Sequence, residues 1–202
     1  MICARSKFFY CAMNGDWVEK DERLVKLPED DPEIFGIYAN LVYTGKIAIR
    51  SSETAKGQVA KHALQAEHTT LCILYVLAEK LQDTLAKDAI VTSIRAICKE
   101  SLTHEIEDFE NQDDYHGGWF VLTASAVSII YEGTVRGSPA RRLMVDMLIS
   151  EPICFKRIAA DLPHEALVDV AIALMPEYLD EVSSCEAYIE GIKGKNAEKI
   201  YY

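Results

Sequence analysis

His62, His68, Cys72, His104 and Ser138, together with the paired carboxylates Asp30 and Asp31, are the side chains here whose types and spacing could support chemistry. His62 and His68 stand six residues apart, which on a helix turns them to different faces instead of the i, i+4 spacing of a metal pair. His68 and Cys72 do have that spacing, but two ligands do not make a site, and the pair reads as a surface histidine beside a buried thiol. His104 lies with Glu105 and Glu107, either a weak trap for a divalent cation or, on the better reading, part of a solvated loop. Gly36, Gly45, Gly57, Gly117, Gly118 and Gly137 never fall into a phosphate-cradling or Walker pattern. Ser138 lacks the glycines of a hydrolase elbow. Asp30 and Asp31 precede a helix start, where carboxylates serve the cap and the dipole, and no partner base stands near them in sequence. These readings predict no catalytic set, no cofactor and no tightly held metal.

The elements that would position these groups come from a chain of 202 residues, half of them hydrophobic, enough for a sizeable core. The net charge of −11 argues against a nucleic-acid surface, which needs clustered Lys and Arg. Glu105, Glu107, Asp108, Glu110, Asp113 and Asp114 carry no balancing cation between residues 101 and 117, which reads as a solvated acidic linker or, alternatively, a site for a basic partner. The six cysteines are scattered without a CxxC pair and read as buried free thiols of a reducing compartment. No secretory signal and no apolar run long enough to cross a bilayer is visible, so no membrane is expected and the cytoplasm or nucleus is.

The strongest local pattern lies between Leu24 and Ile47. Leu24, Val25 and Leu27 form a short β-type run bounded by Pro28; Asp31 is a plausible N-cap ahead of Pro32 at the first helical position. Ile34, Phe35, Tyr38, Leu41 and Val42 then recur at helical spacing until Gly45. Residues 2 to 13 read as one helix stopped by Asn14-Gly15-Asp16, and Ile47 to Ile49 as a second short strand. Leu71, Leu74, Tyr75, Ala78 and Leu81 share one helical face, and Asp83 caps a following helix with Leu85, Ala89, Ile90, Ile94 and Ile97 on one side: a hairpin with a joint of one or two residues. Residues 119 to 131 read as a buried helix, Ser138-Pro139 and Pro163 open two more, and residues 191 to 202 form a frayed end.

The helix ending in Ser6-Lys7-Phe8-Phe9, the run Leu24 to Leu27, the Phe-bearing helix ending in Tyr43-Thr44-Gly45 and the hairpin after it resemble the BTB/POZ family of protein-interaction domains over about the first half of the chain. Ile130 to Thr134 followed by Arg141 to Asp146 is similar to the tail of fungal members. The resemblance implies a mainly α (α+β) fold, a helical cluster with a small sheet remnant. It divides the chain into a BTB/POZ-like domain at 1–100, the acidic linker at 101–117, a helical extension at 118–182 and a tail at 183–202. Relative to the family, the N-terminal β-hairpin is missing. The edge this leaves at Leu24 to Leu27 is expected to drive pairing with another copy.

The resemblance further implies a non-enzymatic interaction module, and in its most specific form a substrate adaptor for a cullin-type ubiquitin ligase. Its alternative is an oligomerising scaffold with no ubiquitin link. Trp17-Val18-Glu19 stands where some family members carry a hydrophobic-x-Glu motif for the cullin, so Trp17, Val18 and Glu19, with Phe35 and Tyr38 on the Pro32 helix, are the candidate partner-binding residues. A Trp suits an anchor because it offers large area at low side-chain entropy cost. The competing reading folds Trp17 back onto the Phe8/Phe9 helix as cover for the core.

Overall fold

The computed structural model of the protein describes residues 1–49, 57–103 and 121–175, and of 57–61 and 100–103 the backbone alone. Helices account for nearly all of its regular structure, and no strand occurs among the described residues. In chain order they are α1 (Ile2–Arg5), α2 (Lys7–Asn14), α3 (Val18–Glu22), α4 (Pro32–Thr44), α5 (Gly57–Lys80), α6 (Thr84–Thr103), α7 (Ala124–Gly133), α8 (Pro139–Ser150), α9 (Pro152–Ile158) with a 3-10 turn at Ala159–Asp161, and α10 (His164–Leu174). The acidic stretch beyond Thr103, His104 and the tail at 183–202 lie outside the described residues.

Where local chemistry dictates a helix end, the backbone obeys it. The Asp31 carboxylate accepts the Glu33 N–H at 2.8 Å, Pro32 takes the first turn where its missing N–H is no loss, and Gly45 closes α4 in the left-handed region at φ 71°. Asp83 caps α6 through the Ala86 N–H at 2.9 Å. The α5–α6 joint runs over Leu81, Gln82 and Asp83, longer than expected. Gln82 adopts φ 54° while the Asp83 N–H reaches back to the Ala78 carbonyl at 3.0 Å, satisfying a helix-end acceptor.

Three expectations are corrected. The first helix is two, because the Ser6 side chain caps α2 at the Phe9 N–H and also donates to the Leu81 carbonyl at 2.6 Å. Leu85 faces solvent instead of joining Ile90, Ile94 and Ile97 in the core. The runs 24–27 and 47–49 are extended, with Val25, Leu27, Ile47 and Ile49 turned toward the core, yet no ladder forms among the described residues. Alternating burial specifies an extended backbone; a strand also needs a neighbour for its N–H and C=O groups. Here the ends of the first run bond locally, Leu24 N–H to Glu19 and Asp30 N–H to Leu27.

α5 is the central helix, with α4, α6 and α7 packed around it and α8 bridging to α9 and α10. Leu71, Leu74, Tyr75 and Ala78 form its expected face, and His68 and Cys72 widen it, as a helix surrounded on several sides requires. One apolar cluster runs from Phe9 through α4, α5, α6, α7 and α8 to Val170 of α10. The α5–α7 seam is unusually close. A Cβ on Gly133 would lie 2.4 Å from Val76 Cγ1 and 2.5 Å from Cγ2, so glycine is what lets the end of α7 reach α5.

Candidate interaction surface

α3 is five residues long and buries none of them. It survives because its ends are tied: the Arg23 and Leu24 N–H groups both bond the Glu19 carbonyl, Arg23 taking a left-handed turn at φ 50°. Gly15 ends α2 just before it, donating to the Cys11 carbonyl at 2.8 Å. Trp17 then lies extended as the N-cap residue of α3, with its indole against Gly15. A Cβ on Gly15 would sit 2.4 Å from the ring Cδ1 and 2.7 Å from Nε1. The ring is thus seated on backbone, while 64% of the residue remains exposed, and Val18 beside it is equally open. Trp17 does not cover the Phe8/Phe9 core; its packing partner is the glycine turn.

Glu19 is half-buried in the same short helix, and Leu24 and Tyr10 are exposed on the adjoining segments. Phe35 is also half-buried, set edge-on to Phe9 at 6.3 Å between centroids and tilted against Tyr38 at 6.0 Å. Tyr38 itself is a correction: it has no exposed surface and cannot touch a partner. Its hydroxyl donates to Asp83 at 3.1 Å, and burial together with that carboxylate holds the phenol far above its ordinary titration range. α4 packs this face inward because Ile34, Tyr38, Leu41 and Val42 share it.

Two buried polar knots, neither legible as such in the sequence, tie elements of the fold together. In the first, the Asp83 carboxylate meets Arg5 (Nε to Oδ2 3.2 Å), Tyr38 and the α6 amide, while Arg5 Nη1 also donates to the Leu41 carbonyl at 3.3 Å. α1, α4 and the α5–α6 joint therefore meet at one acid. In the second, buried Arg141 donates to Glu165 at 2.6 Å, to the Tyr131 and Thr134 carbonyls and to Thr134 Oγ1, with its guanidinium 4.6 Å above the Tyr131 ring. Tyr131 in turn donates to Asp169 at 2.9 Å. Ser138 does not cap α8 with its side chain; its hydroxyl pairs with that of Tyr75 at 3.1 Å.

The groups considered for chemistry are dispersed or suppressed. His68 is not a surface residue: it is fully buried, its Nε2 has no hydrogen-bond partner, and burial pushes its pKa down to about 4. Cys72 Sγ lies 3.9 Å from His68 Nδ1, and burial raises the Cys72 and Cys98 thiols to about 12 and about 11, so neither is a ready thiolate. His62 is exposed and apart from them. One cleft of about 410 Å³ is walled by Thr123, Ser125, Cys154, Arg157 and Asp161, where the two hydroxyls bond each other. Another, of about 380 Å³, holds Arg141, Glu165 and Asp169, which are engaged in the second knot. Among the described residues no three His, Cys, Asp or Glu side chains are placed to hold a metal ion, and no helix is long and apolar enough to cross a membrane. A scan against protein-family models and searches of curated proteins and of solved structures return no match.

Proposed function

We propose that this chain is a non-enzymatic protein–protein interaction module of the BTB/POZ kind, of the fungal type, and that its most specific work is as a substrate adaptor for a cullin-type ubiquitin ligase. The observation that carries the reading is Trp17, a large aromatic side chain left 64% exposed yet fixed in place on Gly15. An anchor held in its bound position before the partner arrives loses little freedom on docking. Val18 and Glu19 extend the contact, and Phe35 supports it from the aromatic row behind α2. The suppressed thiols and the dispersed histidines fit a role without catalysis.

Binding of the purified chain to a cullin N-terminal domain, measured by calorimetry beside thermal melting, tests this. Trp17→Ala is expected to weaken binding by ~2 kcal/mol, roughly thirtyfold, with the melting temperature unchanged because the ring covers no core. Gly15→Ala keeps the indole but displaces it, and is expected to weaken binding in the same direction. Wild-type affinity in both folded variants, or no binding by the wild type, rejects the adaptor. The second reading, an oligomerising scaffold, draws on Leu24, which is exposed beside an extended run with no strand partner among the described residues. Light scattering across a wide concentration range separates it: a scaffold gives a dimer or larger mass, and a constant monomeric mass discards it.

A further inference from the structure

Arg141 is a buried cation held differently on its two edges. On the inner edge Nε donates to Thr134 Oγ1 and Nη2 to the Tyr131 and Thr134 carbonyls, which fixes the guanidinium in place. On the outer edge Nη1 donates to Glu165 Oε2 at 2.6 Å. The two partners are unlike, since the Arg141 side chain is 8% exposed and that of Glu165 70%. A guanidinium locked by the fold is thus closed on one side by a carboxylate that stands largely in water. Such a carboxylate exchanges readily, because solvent screens the attraction and a long side chain loses freedom in holding it.

That side opens on the cleft of about 380 Å³ between the α7–α8 turn and the first turns of α10, a volume suited to a small ligand. Exposed Arg136 and His164 line it beside Arg141. Asp169, whose Oδ2 accepts the Tyr131 hydroxyl, is the acid that stays if Glu165 swings out. Arg136 and Arg141 then face a single carboxylate, which leaves room for one negative charge. A phosphate dianion would exceed that balance and set its excess charge against Asp169. Val135, 68% exposed, and half-buried Val168 give the cleft an apolar wall.

We propose that this cleft is a binding site for a small monocarboxylate with a short apolar body, whose carboxylate takes the place of Glu165 on Arg141 Nη1. Glu165 is then the site's own stand-in for the ligand, and Arg136 supplies the second positive charge. None of these residues belongs to the Trp17 surface, so the site stands or falls separately from the adaptor reading.

Titration of the full chain with 3-methylbutanoate, followed by NMR at the Arg141 Nε–H resonance, tests it. 3-Methylbutanamide carries the same body without the charge and is expected to leave the resonance in place. Wild-type binding of the acid is expected to be weak, because it competes with a tethered carboxylate at an effective concentration on the order of millimolar. Glu165→Gln removes the competing charge at an exposed position and is expected to tighten binding about tenfold. Arg136→Gln, also at an exposed position, is expected to weaken it, and decides the matter alone should the first variant fail to fold. No shift in either the wild type or Glu165→Gln overturns the proposal, as does equal binding of the amide or an affinity that Glu165→Gln does not raise. Tighter binding of inorganic phosphate than of the acid also overturns it.

Discussion

Single side chains decide much of this molecule's response to its surroundings, and His68 is the clearest case. Its pKa, ordinarily 6.5, falls to about 4 because burial penalises the cation. Between those values the unfolded chain binds a proton that the folded chain refuses, so stability is complete above pH 6.5 and declines as pH falls toward 4. The decline attributable to this residue is ~3 kcal/mol. His68→Leu removes both the proton site and the unpartnered Nε2, and urea titrations at neutral and mildly acid pH are expected to show a smaller loss in the variant than in the wild type. An equal loss in both would place the acid sensitivity elsewhere. Asp83 is the other decisive residue, since one carboxylate meets Arg5, Tyr38 and the α6 cap. Asp83→Ala leaves a mostly buried guanidinium without its acid and is expected to cost ~3 kcal/mol or more in urea unfolding.

At the scale of elements, capping set the helix boundaries and close approach set the seams. Gly133 is where α7 meets α5, and Val76 is the side chain that fills the space a Cβ would need. Gly133→Ala would ordinarily favour a helix, yet here it is expected to destabilise by ~1–3 kcal/mol because a β-branched neighbour cannot swing aside. Val76→Ala opens the same space, so the double variant is expected to recover part of the loss. A double-mutant cycle by urea unfolding checks this, and strictly additive effects would show that the two residues do not meet. The capped start of α4 and its glycine end were legible because the signals Asp31, Pro32 and Gly45 act on neighbouring backbone. α9 and the 3-10 turn were not anticipated, although Pro152 marks the start of α9 as clearly as Pro139 marks that of α8.

The described residues share one core, although the resemblance to the BTB/POZ family divides the chain near residue 100. The cluster from Phe9 to Val170 passes through both halves without a break, and α5 touches helices of each. The two halves are therefore expected to unfold together. Native-state hydrogen exchange should assign the slowest amides of α5 and α6 and those of α7 and α8 the same opening free energy. A lower value for α7 and α8 would show a separable extension.

What the sequence by itself determined is the longer helices, α4, α5, α6, α8 and α10, and several of their ends. Caps, prolines and glycines work through bonds that span three or four residues, and apolar periodicity marks which face turns inward. It also marked the runs 24–27 and 47–49 as β-type, and the structure keeps them extended with Val25, Leu27, Ile47 and Ile49 against the core but pairs them in no ladder among the described residues. Only the tertiary structure decided that Tyr38 belongs to the core and Trp17 to the surface, that His68 is buried, and that Arg5 and Arg141 are the centres of polar knots. Each of those outcomes depends on groups far apart in the chain, Arg5 with Asp83 and Tyr131 with Asp169 among them. The periodicity that places a residue on a helix face carries no record of what will pack against that face. A buried polar group is tolerated only where distant partners complete its bonds, and the fold alone brings those partners together.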